Sequence, residues 1–443
     1  MAKVVEFGKK TWRDVTFADV FPDRRRNRVI GMSFPRQHAA LGLEPSILTV
    51  LPPGDNVEYD SANRDYNDDD VLYYCCSVYI SGLAEFKAWA LKHDPAKIVV
   101  GGYHPTTFPE DFTRFAFKIV QGPCDALFDT IAQSGQVVTG IVKNETLPRR
   151  DLYDIARLNQ QIIPDKKPND VVVSINTSMG CAVTPPCDFC CTPIMCPKLL
   201  CRPTDIVERE ALSLRQYDPK FCFIRDENFT MQKDWRDRLA MLHRCLPETK
   251  LYLFASANTL NTEDKVAYLA AHGVYMVCLG LEDPTKDYGK NKNLDQVMAL
   301  LKKYHVYAYL SFIVNPLEII GQEAGKAFYE KLMTRLFELG PEMICGNFLM
   351  PFRGTGLWDK YFGLVSEDDY PYYDSKTPFL VKNPVLQEKM KFFMFWYQYL
   401  YYTSDFYRDN VRQFDVEDTL HLRFTELYVD FRHRYEVIWD RRA

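Results

Sequence analysis

Residues 171–203 read VVVSINTSMGCAVTPPCDFCCTPIMCPKLLCRP, a hydrophobic run that passes into a loop holding six cysteines. The inner spacing is Cys181, five residues, Cys187, two residues, Cys190, with Phe189 just before the last thiol. Three thiolates on one loop can hold three irons of a 4Fe-4S cubane and leave the fourth open to a substrate or cofactor. Cys187-Asp188-Phe189-Cys190 is also a zinc-type pair, although a second such pair to complete four ligands is missing. A disulfide framework belongs to small secreted domains and suits a 443-residue chain poorly. Cys75, Cys76, Cys222, Cys278 and Cys345 sit in apolar runs and read as buried, inert thiols.

The length allows roughly two to four domains with sizeable cores. With 47% hydrophobic and 26% charged residues, the composition is that of an ordinary globular protein. A formal net charge of -5 argues against broad nucleic-acid binding, which needs a basic face, but leaves a small anionic substrate open. The opening MAKVVEFGKKTWRD lacks an apolar core of signal-peptide length, and no later run has membrane-spanning length. With 13 cysteines and no export signal, a reducing, cytoplasmic compartment is expected.

Residues 28–143 alternate between short apolar runs and helical patterns. Strands are predicted at 71–76, 97–100 and 117–120, each closed by a small-residue loop. This predicts a Rossmann-like, doubly wound parallel sheet whose ligands lie beyond the carboxyl ends of the strands. Residues 144–170 are polar and proline-punctuated, as a linker is. From 171 to 365 the alternation resumes, with strands predicted at 221–224, 251–254, 276–279, 307–314 and 343–348. Helices fall between them, as at 262–272 and 293–304. Repeated βα units at this pace predict a full or partial parallel barrel. Residues 1–27 form an N-terminal arm. The aromatic tail, 366–443, is expected to be a helical domain covering a barrel opening.

Taken together, Thr177-Ser178-Met179-Gly180-Cys181 and Cys187-Asp188-Phe189-Cys190 resemble the cluster loop of radical S-adenosylmethionine enzymes. That family's usual first gap is three residues; here it is five, Ala182 to Pro186, so Cys191, Cys196 and Cys201 stand as alternatives to Cys181. Further stretches are similar to the family's strand ends: Arg225-Asp226-Glu227-Asn228, Ser256-Ala257-Asn258, Gly280-Leu281-Glu282-Asp283, Val314-Asn315-Pro316 and Met350-Pro351-Phe352-Arg353-Gly354-Thr355-Gly356. The resemblance implies a partial (β/α)6 barrel. It assigns Phe189, Asp226, Glu227, Asn228, Ser256, Asn258, Glu282 and Val314 to S-adenosylmethionine, the acidic turn meeting its ammonium. Asp226, Glu227 and Glu282 also read as solvated or structural carboxylates.

Gly101-Gly102-Tyr103-His104-Pro105-Thr106 is similar to a turn of the cobalamin-binding domain in the B12-dependent branch of that family. The resemblance implies corrin contacts from Ser77, Tyr79, Ser81, Gly101, Gly102, Tyr103, His104 and Gly122. Paired glycines let a backbone approach a planar ligand closely. The branch's acidic turn appears here as Gln121-Gly122-Pro123-Cys124-Asp125, and no Asp-x-His-x-x-Gly motif supplies a lower axial histidine. The remaining histidines, His38, His93, His243, His272, His305, His421 and His433, form no metal-binding pattern.

The function implied is reductive cleavage of S-adenosylmethionine at a 4Fe-4S cluster. It is coupled to cobalamin-dependent methylation of an unactivated carbon or phosphinate in a small molecule or peptide, with flavodoxin or ferredoxin as electron donor. No nucleic-acid or membrane partner is expected. Two alternatives stay open. One is a cobalamin-independent enzyme that rearranges, cyclises or transfers an aminocarboxypropyl group; the other is a zinc-stabilised binding protein without catalysis.

Overall fold

The computed structural model describes residues 28–34, 46–60, 63–153, 171–286 and 288–411. The expected arm (1–27), the second part of the expected linker (154–170), His38, and the end of the tail (412–443, with His421 and His433) lie outside the described residues. Two compact units emerge: Met1–Leu158 with Ile194–Cys196, and Asn159–Pro193 with Pro197–Ala443.

The first unit is built on β1 (Arg28–Phe34), β2 (Val57–Asp60), β3 (Val71–Val78), β4 (Ile98–Gly101), β5 (Lys118–Gln121) and β6 (Val137–Thr139). All neighbours pair in parallel, in the order β2-β1-β3-β4-β5-β6. The apolar runs form strands because the inner ones are covered on both faces, as a parallel sheet requires; Val29, Ile30, Tyr74, Val78, Ile98 and Val100 have no more than 1% exposure. Strand order reverses at β1, which makes the gap beyond β1 and β3 the topological switch point. The predicted strands at 71–76, 97–100 and 117–120 are β3, β4 and β5. Residues 144–153, expected to be linker, pack on this unit instead: the Asp125 carboxylate accepts the Asn144 N–H at 2.7 Å and Leu48 O accepts the Arg149 N–H at 2.9 Å.

The second unit contains β7 (Val171–Ile175), β8 (Ser178–Met179), β9 (Leu200–Cys201), β10 (Pro219–Ile224), β11 (Lys250–Phe254), β12 (Val274–Glu282), β13 (Tyr307–Val314) and β14 (Met343–Phe348). The main sheet runs β7-β10-β11-β12-β13-β14, all parallel, each strand beside its successor. Helices Thr204–Leu214, Trp235–Cys245, Glu263–Ala271, Leu294–Lys303 and Gln322–Leu339 make the crossovers, which gives a partial (β/α)6 barrel. On one sheet face Phe223 stacks on Tyr252 at 4.4 Å, and the Tyr252 hydroxyl donates to Cys278 Sγ at 3.7 Å.

An open six-stranded barrel leaves the edge of β14 with unpaired backbone groups, which must find partners. The tail supplies them. Ile344 N–H donates to the Tyr402 hydroxyl (2.8 Å), Gly346 N–H to Gln398 Oε1 (3.3 Å) and Phe348 N–H to Ser375 O (2.8 Å). Tyr402 and Gln398 lie on helix Pro384–Thr403, so the expected cover is a strap along the barrel's open side, within the second unit. Gly346 has no side chain to obstruct it; a Cβ there would fall 2.7 Å from the Phe312 ring and 3.0 Å from Met394. Tyr402→Phe should orphan the Ile344 N–H and lower unfolding stability by about 1–2 kcal/mol, read as a drop in the urea midpoint at unchanged slope.

Candidate functional site

The cysteine loop leaves the barrel at β7 and returns at β10, and its base is stapled three ways. β8 pairs antiparallel with β9, Ser178 opposite Cys201. Arg202 donates to Asn176 O at 2.6 Å and pairs with buried Glu210 at 2.6 Å. Asp226, fully buried at the end of β10, takes the third and largest share. Its carboxylate accepts the Thr177 N–H (2.7 Å), the hydroxyls of Thr177 (2.5 Å) and Ser178 (2.7 Å), and Gln232 Nε2 (2.9 Å). Burial raises its pKa in spite of those donors. Both Asp226 oxygens are thus engaged by the chain itself, and its role is to tie the loop down.

Glu227, the neighbouring acid, is disposed differently. One oxygen accepts the Gly180 N–H at 3.0 Å, and the residue keeps an exposed surface. Desolvation pushes its pKa up to about 6, with the charge of Asp226 acting in the same sense. Asn228 donates to Ser256 Oγ at 3.1 Å, and Thr230 shares a 2.5 Å hydrogen bond with Thr259, which links the ends of β10 and β11. Asn258 Nδ2 donates to Gly289 O at 2.6 Å and Oδ1 accepts from Asn293, so its amide braces the loop after β12. Val314 is fully buried at the end of β13.

At the end of β12, Glu282 has a left-handed backbone, φ 59°, and its carboxylate folds back over Gly280. A Cβ on Gly280 would lie 2.0 Å from Glu282 Oε1, so the glycine is required by close approach. Glu282 pairs with the largely buried Lys290, whose ammonium also lies 5.5 Å from the Phe189 ring centre. Burial works against charge on Lys290, but Glu282 and the thiols of Cys187 and Cys190 outweigh it and raise its pKa. Sequence reading passed over this lysine, which sits in the polar run Lys286-Asp287-Tyr288-Gly289-Lys290 without a motif around it.

The thiols of Cys181, Cys187 and Cys190 are electrostatic neighbours of one another, and Cys190 N–H donates to Cys187 O at 3.1 Å in a tight turn. Burial raises the pKa of Cys181 and of Cys187. Cys191 is pushed up to about 12, first by burial and then by Cys190. Cys196 is buried and Cys201 is exposed on β9, its charged neighbours being Arg238, Asp234 and Asp226. Met231 Sδ lies 4.0 Å from Cys181 Sγ. Among the described residues, no three His, Cys, Asp or Glu groups converge as ligands of a single ion. A cubane spreads three cysteines over three irons, so its ligands need not meet at a point. The opposite side of the loop is held by the barrel's last turn, where Leu357 N–H donates to Asp188 O at 3.2 Å.

In the first unit, Ser77 is near the end of β3 with Tyr79 and Ser81 just after it; Gly101 ends β4 and Gly102, Tyr103 and His104 follow it; Gly122 follows β5. All stand at the carboxyl edge of the sheet. Tyr79 is 43% exposed. His104 is buried, its Nε2 2.8 Å from Asp111, and its ring stacks on Phe108 at 4.8 Å. Gly102, φ 100°, lets the turn lie against Ser77: a Cβ would stand 3.2 Å from Ser77 Oγ and from Val78 O. The Gly122 N–H donates to Thr106 Oγ1 at 3.0 Å, which joins the β4 and β5 turns. Gly102 and His104 therefore serve the packing of the turn itself. Cys345 departs from its expectation as a buried, inert thiol. It is partly exposed and lies 3.3 Å from Lys376 Nζ.

No family model matches the sequence. The solved radical S-adenosylmethionine methyltransferase TsrM from Kitasatospora setae, with cobalamin and a 4Fe-4S cluster bound, aligns with 76% of this chain and 78% of its own at TM-score 0.52 and 14% identity. The same enzyme with tryptophan substrate and the S-adenosylmethionine analogue aza-SAM aligns over 76% of each chain at TM-score 0.54 and 14% identity. In sequence, the bacteriochlorophyllide d C-8(2)-methyltransferase of Chlorobaculum tepidum is 22% identical over 379 residues, 77% of this chain and 80% of that protein. The chain thus shares the fold of that solved methyltransferase, a Rossmann-like parallel sheet and a partial (β/α)6 barrel. No helix among the described residues is long and apolar enough to cross a membrane.

Asp226→Ala should leave the Thr177 and Ser178 donors unanswered in the interior. Stability should fall by about 3 kcal/mol, seen in denaturant unfolding, with increased protease cleavage within the cysteine loop.

Proposed function

We propose that this protein is a radical S-adenosylmethionine methyltransferase that uses cobalamin to methylate a small molecule or peptide, at an unactivated carbon or a phosphinate. One observation carries the reading: Cys181, Cys187 and Cys190 share a loop stapled to the carboxyl end of a six-stranded parallel barrel. The methyltransferase likenesses in fold and sequence support it.

In this reading the three thiolates each hold one iron of a 4Fe-4S cluster. When bound, the cluster supplies an electron, S-adenosylmethionine the methyl group and cobalamin a carrier for it. The chain's own part is positioning. Glu227, fixed by Gly180 N–H, offers a carboxylate to the ammonium of S-adenosylmethionine beside the loop. Asn228 and Ser256 offer polar groups at the next strand end. Lys290 places a positive charge against Cys187 and Cys190, and Glu282 holds that lysine in place. Phe189 lies edge-on to Tyr288 at 6.1 Å and beside the Lys290 ammonium. Cobalamin would lie at the carboxyl edge of the first unit's sheet, against Ser77, Tyr79 and Ser81, with flavodoxin or ferredoxin as the cytoplasmic electron source.

A second reading, a cobalamin-free enzyme on the same cluster, is favoured by Gly102 and His104, whose features the fold already uses. Cobalamin retention in the visible spectrum of protein from cobalamin-fed cells decides between them.

Anaerobic reconstitution with iron and sulfide should give a brown protein with about four irons, and Cys187→Ala should lose the chromophore. Stoichiometric zinc in a colourless wild-type protein would overturn the proposal. Because the pKa of Glu227 is raised to about 6, its carboxylate is lost as pH falls through that value. Affinity for S-adenosylmethionine, followed by equilibrium dialysis, should therefore weaken roughly tenfold per unit below it. In Glu227→Gln the affinity should be low and flat with pH.

A further inference from the structure

Three adjacent strands of the second unit carry small residues at one level: Gly280, Ser311 and Cys345 are register partners on β12, β13 and β14. All three are partly exposed. The level toward the amino ends holds the larger Phe254, Tyr309 and Met343, register-matched through Cys278. The two levels share one face, since the Tyr309 hydroxyl interacts with Cys345 and the Tyr252 hydroxyl with Cys278. Room therefore opens above an aromatic floor, on the face where Lys290 Nζ stands 3.3 Å from the Cβ position of Gly280.

At the far side of that level sits Lys376, from the segment that follows β14. Its ammonium contacts Gly346 O (2.6 Å), Asn347 Oδ1 (3.0 Å) and Cys345 Sγ (3.3 Å). No carboxylate among the described residues pairs with it, in contrast to Lys286, Lys290 and Lys382 of the same unit. The ammonium also fixes its neighbours. Asn347 must turn Oδ1 toward the cation, so its Nδ2 donates to Ser311 Oγ at 3.2 Å. Ser311 is then an acceptor in that bond, and its own O–H is left to donate into the room above the floor.

We propose that Lys376 and Ser311, set by Asn347, form an anchoring subsite for a carboxylate of the substrate. With the N–H that faces the weak acceptor Cys345 Sγ turned to the ligand, one ammonium beside β14 and one hydroxyl on β13, two strands and one strand across from Gly280, match a monoanion with two acceptor oxygens. The ligand's status as substrate rests on the methyltransferase reading; the carboxylate subsite itself does not.

The test uses reconstituted full-length protein and two probes of equal shape, benzoate and benzamide, with binding read by saturation-transfer NMR. Wild-type protein should bind benzoate at least tenfold more tightly than benzamide. Lys376→Met should erase that preference, Lys376→Arg should restore most of it, and Ser311→Ala should reduce it severalfold. Cluster absorbance should be unchanged in all of them. Inorganic phosphate should displace benzoate no better than acetate does. A benzoate preference that is absent from wild type or survives Lys376→Met overturns the subsite, and preferential displacement by phosphate overturns its assignment to carboxylates. Failure of the methyltransferase reading would appear separately, as wild-type protein that forms no cluster. If Lys376→Met does not fold, the Lys376→Arg and Ser311→Ala comparison still decides: equal benzoate affinity in both overturns the proposal.

Discussion

The buried carboxylate of Asp226 is the constraint on which the site depends. A fully buried acid is tolerable only when its lone pairs are filled, and four donors from Thr177, Ser178 and Gln232 fill them. Two of those residues begin the cysteine loop, so desolvating one carboxylate locks the loop to the second barrel strand. The β8–β9 pair and Arg202 close the loop's return. A loop of exposed prolines and mostly half-buried cysteines thereby gains a fixed base without a hydrophobic core of its own.

Adjacent acids consequently divide the work. Asp226 is consumed by structure, whereas the exposed Glu227 accepts the Gly180 N–H and makes no comparable set of side-chain bonds. A similar division recurs at β12, where Glu282 is occupied by Lys290 and thereby sets a cation beside the thiols. Two strands away on the same face, Lys376 is held by the neutral groups Gly346 O and Asn347 Oδ1.

Much of the architecture was legible in the chain. The apolar runs at 307–314 and 343–348 are strands over those very residues, and the others differ by only a few positions at their ends. Buried parallel strands are continuous apolar runs, and βα alternation leaves few ways to connect them. The short strands β2 and β6 were not individually readable, since Val-Glu-Tyr-Asp and Val-Val-Thr are too brief to show a period. In the tail, helix could be read from the sequence, but its use as a strap on β14 could not, because Tyr402 and Gln398 meet backbone groups more than fifty residues away.

The site divides along the same line. Cysteine spacing by itself marked the loop, while the acidic turn after β10, the Gly280 to Glu282 strand end and the glycine turn after β4 were marked by their resemblance to family motifs, since each is a local pattern. Which carboxylate is buried in hydrogen bonds and which stays exposed, that Lys290 reaches the thiols, that Gly102 and His104 serve their own turn, and that Lys376 meets no acid among the described residues were decided by the tertiary structure. The physical reason is that a hydrogen bond or ion pair depends on distance in space. Asp226 and Thr177 are 49 residues apart in the chain and 2.7 Å apart in the fold.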